Sequence, residues 1–233
     1  ASLGIPEKNT FALLPQSIAG EKVKWIVLDD ATDPTAGVKN VRKMISEDKA
    51  DVLIAATATP VSMAILEVAF ETKTAQIAMA PVPPAGEKSA WIFSTPQNFG
   101  LMATAIADHM AANGVKTIGF IGYADPYGEL WLKAMQGAAD AKGIKVTAVE
   151  RYQRNDTSVT GQALKIMAAN PDAVLVAGSG TPAVLPQSTL VERGYKGKFS
   201  QAHGIANRDF LRGGGKNVEG TVFPVGPMLL AEQ

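Results

Sequence analysis

Short runs of apolar, often β-branched residues alternate along the chain with longer, alanine-rich segments whose apolar residues recur at helical spacing. Runs of the first kind are typical of buried strands, and segments of the second kind are typical of helices. The predicted strands are Val23 to Leu28, Asp51 to Ile54, Gln76 to Ala78, Thr117 to Ile121, Val146 to Val149, Ala173 to Val176 and Lys198 to Ser200. The predicted helices are Thr35 to Ser46, Pro60 to Thr72, Phe99 to Asn113, Pro126 to Lys142, Val159 to Ala169 and Pro182 to Arg193. This alternation predicts an α/β fold built from βα units on parallel sheets.

Four of the predicted helices begin in the same way, with Asp or Thr directly before Pro. The junctions are Asp33-Pro34, Thr59-Pro60, Asp125-Pro126 and Thr181-Pro182. Asp and Thr side chains accept hydrogen bonds from the first N–H groups of a helix, and Pro fits the first helical position because no donor is needed there. Each junction therefore predicts a helix that begins just after a strand ends. In open α/β sheets, ligands bind at that edge.

The chain contains an internal repeat. A shift of 122 residues lays DVLIAATATP (Asp51 to Pro60) on AVLVAGSGTP (Ala173 to Pro182) without gaps, and it brings the loop at Pro81 to His203. Any two βα units resemble each other, but a gapless register through two strands and two helices favours two lobes of similar fold.

Two runs that end at Pro mark the expected connections between the lobes, because Pro biases the residue before it toward extended geometry. They are WIFSTP (Trp91 to Pro96) and TVFPVGP (Thr221 to Pro227), with crossovers expected at Ser94 to Gln97 and Pro224 to Pro227. The expected organisation is lobe 1 at residues 1–96, lobe 2 at 97–223, and a crossover returning to lobe 1 at 224–233. Two crossovers would form a hinge beside a cleft lined by both copies of the repeat.

Composition narrows the classes of partner. The 233 residues include 22 Lys and Arg against 22 Asp and Glu, so the net charge is zero. Binding to nucleic acid or to an anionic membrane surface needs a positive surface, and we expect neither. No apolar run approaches the roughly 20 residues of a membrane span, so we expect no direct membrane insertion. The absence of Cys excludes a disulfide scaffold and a thiolate nucleophile or metal ligand.

No arrangement of residues predicts catalysis, a cofactor or a metal. The two histidines are His109, which is expected on a helix surface, and His203. Gly178-Ser179-Gly180 is followed by Thr-Pro, which does not match the nucleophile elbow of hydrolases. Ala183 leaves the dinucleotide-binding glycine pattern one match short, and Asn217 after Gly-Lys excludes a phosphate-binding Walker loop. The expectation is a protein that is not an enzyme and that holds no cofactor and no metal.

Two loops of the repeat favour a binding cleft instead. Ala55 to Thr59 and Ala177 to Thr181 combine tiny side chains with hydroxyl groups just before helix N-termini, which favour an anion such as a carboxylate. Close packing of helix on strand would explain the same small residues. Apolar and aromatic side chains for the rest of a small organic acid are Val82, Pro83, Phe99 and Tyr127.

The run IVLDDATDPTAGVKNVRKMISEDKADVLIAATATP resembles lobe 1 of the type I periplasmic solute-binding proteins, the leucine/isoleucine/valine-binding group of ABC importers. Supporting runs are ASLG at the start, DPYGE and GTVFPVGP, so the resemblance extends over essentially the whole chain. It implies two similar lobes joined by hinge crossovers. It also implies a periplasmic receptor that closes around a small solute and delivers it to a membrane permease without chemistry.

The resemblance also implies positions for the ligand. The loop that holds the ligand carboxylate in the family resembles Ala55 to Thr57, with a second contribution from Val82 to Pro84, and the stacking tyrosine resembles Tyr127. The expected ligand-binding residues are Ala55, Ala56, Thr57, Val82, Pro83, Asn98, Phe99, Tyr127, Ser179, Gly180, Thr181 and His203.

At two places the chain departs from the family's amino-acid binders. His203, in the run QAHG, and Asn98-Phe99 stand where those proteins hold the ligand ammonium with acidic residues. Because a buried ammonium without a carboxylate partner is costly, the expected ligand is an aromatic acid or a 2-oxo acid. His203 would donate to, or pair with, a polar group on it. A branched-chain amino-acid-binding protein and the ligand-sensing domain of a receptor or regulator stay open as alternatives, and a Rossmann-type enzyme is disfavoured.

The length of the chain bears on the same resemblance. The family opens with a strand before the ASLG helix and returns to both lobes after the second crossover. From this we expect a chain truncated at both ends, from which the signal peptide is absent.

Overall fold

The computed structural model describes residues 2–83, 86–227 and 229, and the chain divides into two compact units, Ala1–Pro96 (unit 1) and Gln97–Gln233 (unit 2). Pro84 of the expected ligand loop lies outside the described residues. So do residues 228 and 230–233 of the expected second crossover. The return of residues 224–233 to lobe 1 stays a prediction.

The described residues of unit 1 form three helices, a short hairpin and a parallel sheet. Its elements are α1 (Gly4–Phe11), β1 (Ser17–Ile18), β2 (Glu21–Lys22), α2 (Pro34–Ser46), β3 (Val52–Ile54), α3 (Thr59–Thr72), β4 (Ala75–Ala78), a 3₁₀ turn (Gly86–Trp91) and β5 (Ile92–Ser94). The hairpin β1–β2 is antiparallel, whereas β3, β4 and β5 form a parallel sheet in that order. The core lies between this sheet and the helices α2 and α3, where Val41, Leu53, Ile65 and Val68 are buried.

The strand predicted at Val23 to Leu28 does not form. This segment follows β2 without strand pairing, and Val27 and Leu28 are exposed. The repeat supplies the physical reason, because a shift of 122 residues carries the segment to Lys145–Glu150, a strand of unit 2 that pairs with one neighbour only. Among the described residues of unit 1, no strand occupies the place of that neighbour. An extended apolar segment without a partner cannot satisfy its backbone groups in a sheet.

Unit 2 contains a longer succession of strands and helices. Its elements are α4 (Phe99–Ala112), β6 (Thr117–Tyr123), α5 (Pro126–Asp140), β7 (Lys145–Tyr152), α6 (Thr160–Ala168), β8 (Ala173–Ala177), a 3₁₀ turn (Thr181–Ala183), α7 (Val184–Glu192), β9 (Lys198–Gln201), a 3₁₀ turn (His203–Ile205), α8 (Arg208–Gly214) and a 3₁₀ turn (Gly215–Val218). The four strands found among the described residues of this unit are all parallel, in the order β7-β6-β8-β9. All five residues of β8 are buried, since this strand has a neighbour on each side.

The prediction of parallel βα units is confirmed. A helix begins at three of the four junctions, and a 3₁₀ turn that leads into α7 begins at Thr181-Pro182, the fourth. The predicted side-chain cap forms at the two Asp junctions. Asp33 accepts a hydrogen bond from Ala36 N–H at 2.7 Å, and Asp125 accepts from the N–H groups of Tyr127 and Gly128. The two Thr starts differ. Thr59 is the first residue of α3 and donates its hydroxyl to Pro81 O at 3.0 Å, while the turn at Thr181 has no side-chain cap. No helix within the described ranges is both long and apolar enough to cross a membrane.

Candidate functional site

The carboxyl ends of the strands of unit 2 bring four loops together. Asp125 follows β6, Arg154 follows β7, Gly178 to Thr181 follows β8, and His203 follows β9. Because the strands are parallel, all four loops emerge at the same edge of the sheet. This is the edge at which ligands of open parallel sheets bind.

Four rings form an aromatic cluster in these loops and the helices beside them. The cluster consists of Phe99, Tyr127, Trp131 and His203. The ring of Phe99 lies edge-on to Tyr127 and Trp131, with centroids 5.8 and 5.7 Å apart, and His203 lies 6.3 Å from both of these rings. Tyr127 and Trp131 share a face of α5 because they are four residues apart. Tyr127 is 4% exposed and Trp131 is fully buried, so the cluster is a packed aromatic wall.

His203 is the one titratable group of the aromatic cluster without a hydrogen bond to the described part of the chain. Its Nδ1 atom is buried and has no partner. Burial lowers the pKa of His203 to about 4, because the charged imidazolium would lose its hydration. His203 is therefore neutral at pH 7.

Two other members of the aromatic cluster, Trp131 and Tyr127, carry polar groups that are uncharged. Trp131 Nε1 is buried and makes no hydrogen bond within the described residues. Tyr127 donates its hydroxyl to Gly178 O at 3.3 Å. Burial raises the pKa of Tyr127, and the Trp131 N–H lies near enough to oppose this rise, although no hydrogen bond forms between the two side chains. Tyr127 therefore stays protonated.

The loop after β8 is fixed by tyrosines. Tyr123 donates its hydroxyl to Ser179 O at 2.8 Å and accepts from Ser179 N–H at 3.2 Å, while Gly180 N–H donates to Gly204 O at 2.8 Å. A side chain at Gly204 would meet Ser179 Cβ at 2.5 Å, so the two loops approach as closely as glycine allows. The backbone of Ser179 and the N–H of Gly180 are therefore held inside the protein, and the Ser179 hydroxyl faces Arg154.

Arg154 is the cation beside this loop. Its Nε donates to Asp125 Oδ2 at 2.7 Å, and its Nη1 donates to Ser179 Oγ at 3.4 Å. The guanidinium carbon lies 4.0 Å from the centroid of the Tyr123 ring. Asp125 also accepts from two backbone N–H groups of α5, so the positive charge of Arg154 is matched by a carboxylate that is itself fully hydrogen-bonded.

Thr57, in the corresponding loop of unit 1, has hydrogen-bond donors without a partner among the described residues. Ala55 N–H donates to Ile77 O, and Ala56 exchanges two hydrogen bonds with the Ser62 hydroxyl. The Ala55 carbonyl accepts from Gln76. Thr57 makes no hydrogen bond to any described residue, and it lies just before α3, whose N-terminus favours an anion.

The other expected site residues have structural partners of their own. Val82 exchanges two long hydrogen bonds with the Ser94 hydroxyl, and Pro83 is half-buried beside it. Asn98 caps α4 by accepting from Leu101 N–H at 2.8 Å, and its side chain is exposed. Thr181 opens the turn that leads into α7.

Four residues at this edge of the sheet were not among the predicted site residues: Tyr123, Trp131, Tyr152 and Arg154. A signal for Trp131 was present, because it stands four residues after Tyr127 on the same predicted helix. Arg154 had no such signal, since its contact with Asp125 depends on how β7 pairs with β6. Tyr152 is fully buried, and burial raises its pKa.

Other reactive groups lie apart from the aromatic cluster. His109 is exposed on α4, next to the side chain of Asn113. Within the described ranges no three His, Asp or Glu side chains assemble in a way that could hold a metal ion.

Comparisons with known proteins all point to one family. Residues 11–231 match a family described as periplasmic binding protein. An extracellular ligand-binding receptor from Rhodopseudomonas palustris superposes with a TM-score of 0.93 at 48% identity, over 95% of this chain and 62% of that chain.

Two more distant proteins match as well. The Leu/Ile/Val-binding protein homolog 3 of Brucella melitensis is 23% identical over 209 residues, 88% of this chain and 56% of that protein. A solute-binding protein of an ABC transporter from Rhodopseudomonas palustris BisB5, solved with 3,4-dihydroxybenzoic acid, has a TM-score of 0.78 at 22% identity, over 87% of this chain and 57% of that one. The chain thus spans between half and two thirds of the length of these relatives.

Proposed function

The chain belongs to the periplasmic binding protein family, and on that premise we propose that it serves as the extracytoplasmic receptor of an ABC importer. Its ligand is a small amphipathic carboxylate, an aromatic acid or a 2-oxo acid, on which the receptor closes by hinge motion. Its partner is the membrane permease of the importer, and its location is the periplasm.

The observation that carries the choice of ligand is the uncharged aromatic cluster of unit 2. His203 is neutral, and the nearby carboxylate, Asp125, is occupied by Arg154 and by two backbone N–H groups. A ligand ammonium placed against this cluster would lose its hydration and gain no carboxylate in return. An aromatic ring or a short apolar chain, in contrast, fits beside Phe99 and Tyr127.

The carboxylate of the ligand is assigned to unit 1. Thr57 offers a backbone N–H and a hydroxyl that bond to no described residue, at the start of a 14-residue helix. Both groups can donate to an anion, and the helix dipole favours negative charge there. Ala55 and Ala56 shape this loop, because their backbone groups are engaged inside unit 1.

The relatives support two ligand classes. The solute-binding protein that was solved with 3,4-dihydroxybenzoic acid supports an aromatic acid. The Brucella melitensis relative is named for leucine, isoleucine and valine, which supports a branched-chain amino acid as the alternative ligand.

Calorimetric titration separates these two classes. The purified 233-residue chain is titrated with benzoate, 4-hydroxycinnamate, leucine and phenylalanine. We expect heat from at least one of the two acids and none from the two amino acids. Tight leucine binding without any response to the acids would show that the alternative is correct.

A further inference from the structure

The aromatic cluster contains two buried polar atoms that no described residue satisfies, His203 Nδ1 and Trp131 Nε1. Buried polar groups in proteins are nearly always hydrogen-bonded, since an unpaired one costs the full loss of its hydration. Here two of them lie in neighbouring rings whose centroids are 6.3 Å apart. Two unpaired polar atoms in neighbouring rings indicate a place where a bound group completes the hydrogen bonds.

The chemistry of the two atoms restricts that group. The Trp131 indole nitrogen can only donate a hydrogen bond, whereas a neutral imidazole offers one donor and one acceptor. A hydroxyl group donates once and accepts twice, so it can bond to both nitrogens with either tautomer of His203. A group that only accepts would require His203 to carry its proton on Nδ1.

The charge of the surroundings excludes a carboxylate as that group. Arg154, the cation beside the loop after β8, is paired with Asp125, and His203 carries no charge at pH 7. Among the described residues, Arg154 is the one cation shown near these rings, so a carboxylate buried against Trp131 and His203 would lose its hydration without gaining an unpaired cation. The bound group is therefore polar and uncharged.

We propose that His203, with Trp131 beside it, binds a hydroxyl group on the ring of the solute, so that the receptor prefers hydroxylated aromatic acids to unsubstituted ones. This inference rests on the proposed function, because it presumes an aromatic acid as ligand. Beyond that function, it specifies that unit 2 binds the ring hydroxyl of the acid and that His203 and Trp131 are the side chains that bind it.

Calorimetric titration with benzoate and its three monohydroxylated isomers tests the preference directly. These ligands differ only in the presence and position of one hydroxyl group. At least one isomer is expected to bind about ten-fold more tightly than benzoate, which corresponds to one net hydrogen bond to the hydroxyl. Benzoate binding with no isomer more than about two-fold tighter would overturn the inference and leave the proposed function intact. If none of the four acids binds, and leucine does, the proposed function itself fails.

Variants assign the preference to the two side chains. In His203→Phe, and separately in Trp131→Phe, the affinity for the best isomer divided by the affinity for benzoate should fall toward one, while benzoate itself still binds. His109→Phe alters the other histidine of the chain, on the exposed face of α4, and should leave the ratio unchanged. An unchanged ratio in His203→Phe would overturn the assignment.

A fourth variant guards against misfolding. His203→Gln keeps an uncharged donor and acceptor at the same place, so it should retain part of the ratio. If His203→Phe does not fold, His203→Gln and Trp131→Phe test the inference. The affinity for the best isomer relative to benzoate should then be reduced in both variants. An unchanged relative affinity in both would contradict the inference.

Discussion

Two similar stretches of sequence, identical at five of ten positions, are buried differently in the two units. DVLIAATATP in unit 1 contains β3, and AVLVAGSGTP in unit 2 contains β8. The equivalent valines differ strongly, since Val52 is 49% exposed and Val174 is fully buried. The reason lies in the neighbours, because β8 pairs on both sides, with β6 and β9, whereas β3 pairs only with β4. A repeated sequence therefore fixes the strand and its direction, and the neighbouring strands decide its burial.

The largest expected effect comes from the same substitution at these two valines. Val174→Asp places an unpaired charge in the core of unit 2 and should lower the free energy of unfolding by more than about 4 kcal/mol. Val52→Asp lies on an exposed strand edge and should cost less than about 1 kcal/mol. Urea unfolding followed by circular dichroism measures both. Similar losses for the two variants would contradict the comparison.

The units also differ in how their buried ionisable groups respond to pH. In unit 2 the pKa of His203 lies at about 4, against 6.5 for an ordinary histidine. The unfolded chain takes up this proton near pH 6.5, while the folded chain does so only near pH 4. The free energy of unfolding should therefore fall by about 3 kcal/mol as pH decreases through this window. In His203→Gln this part of the acid-side loss should disappear, and an unchanged loss would show that His203 is not the cause.

A smaller effect of opposite sign is expected in unit 1. Burial, together with the nearby charge of Asp30, raises the pKa of Glu7 to about 7 from 4.5. Because the folded chain holds this proton more tightly than the unfolded chain, stability should be fully present below pH 4.5 and lost as pH rises toward 7. Glu7 is only half-buried, so solvent screening weakens the effect. Glu7→Gln should flatten the neutral side of the stability profile, and a profile that matches the wild-type chain would exclude this role.

The comparison also shows which parts of the fold and site the sequence could predict. Asp33-Pro34 and Asp125-Pro126 predict helix starts correctly because the capping bonds join residues three or fewer positions apart. Val23 to Leu28 has the composition of a strand, but pairing depends on a distant neighbour, and the prediction was wrong. A helix also begins at Thr59-Pro60, as predicted, but the Thr59 hydroxyl donates to Pro81 O in another loop and does not cap the helix.

In the candidate site, too, features that depend on contacts between distant residues could not be predicted from the sequence. The resemblance implied that His203 and Tyr127 contact the ligand, and both lie at one sheet edge of unit 2. The neutrality of His203 could not be predicted, because it results from burial among Tyr127 and Trp131 rather than from any adjacent residue. The pairing of Arg154 with Asp125 likewise depends on contact between loops that are 29 residues apart.

The central claim is that the uncharged aromatic cluster selects solutes that lack an ammonium group. Its most direct test is one calorimetric comparison of 3-phenylpropanoate with phenylalanine, which differ only by the α-ammonium. We expect 3-phenylpropanoate to bind at least about 100-fold more tightly than phenylalanine, because the ammonium would be buried without a carboxylate partner. Equal affinities, or tighter binding of phenylalanine, would contradict it.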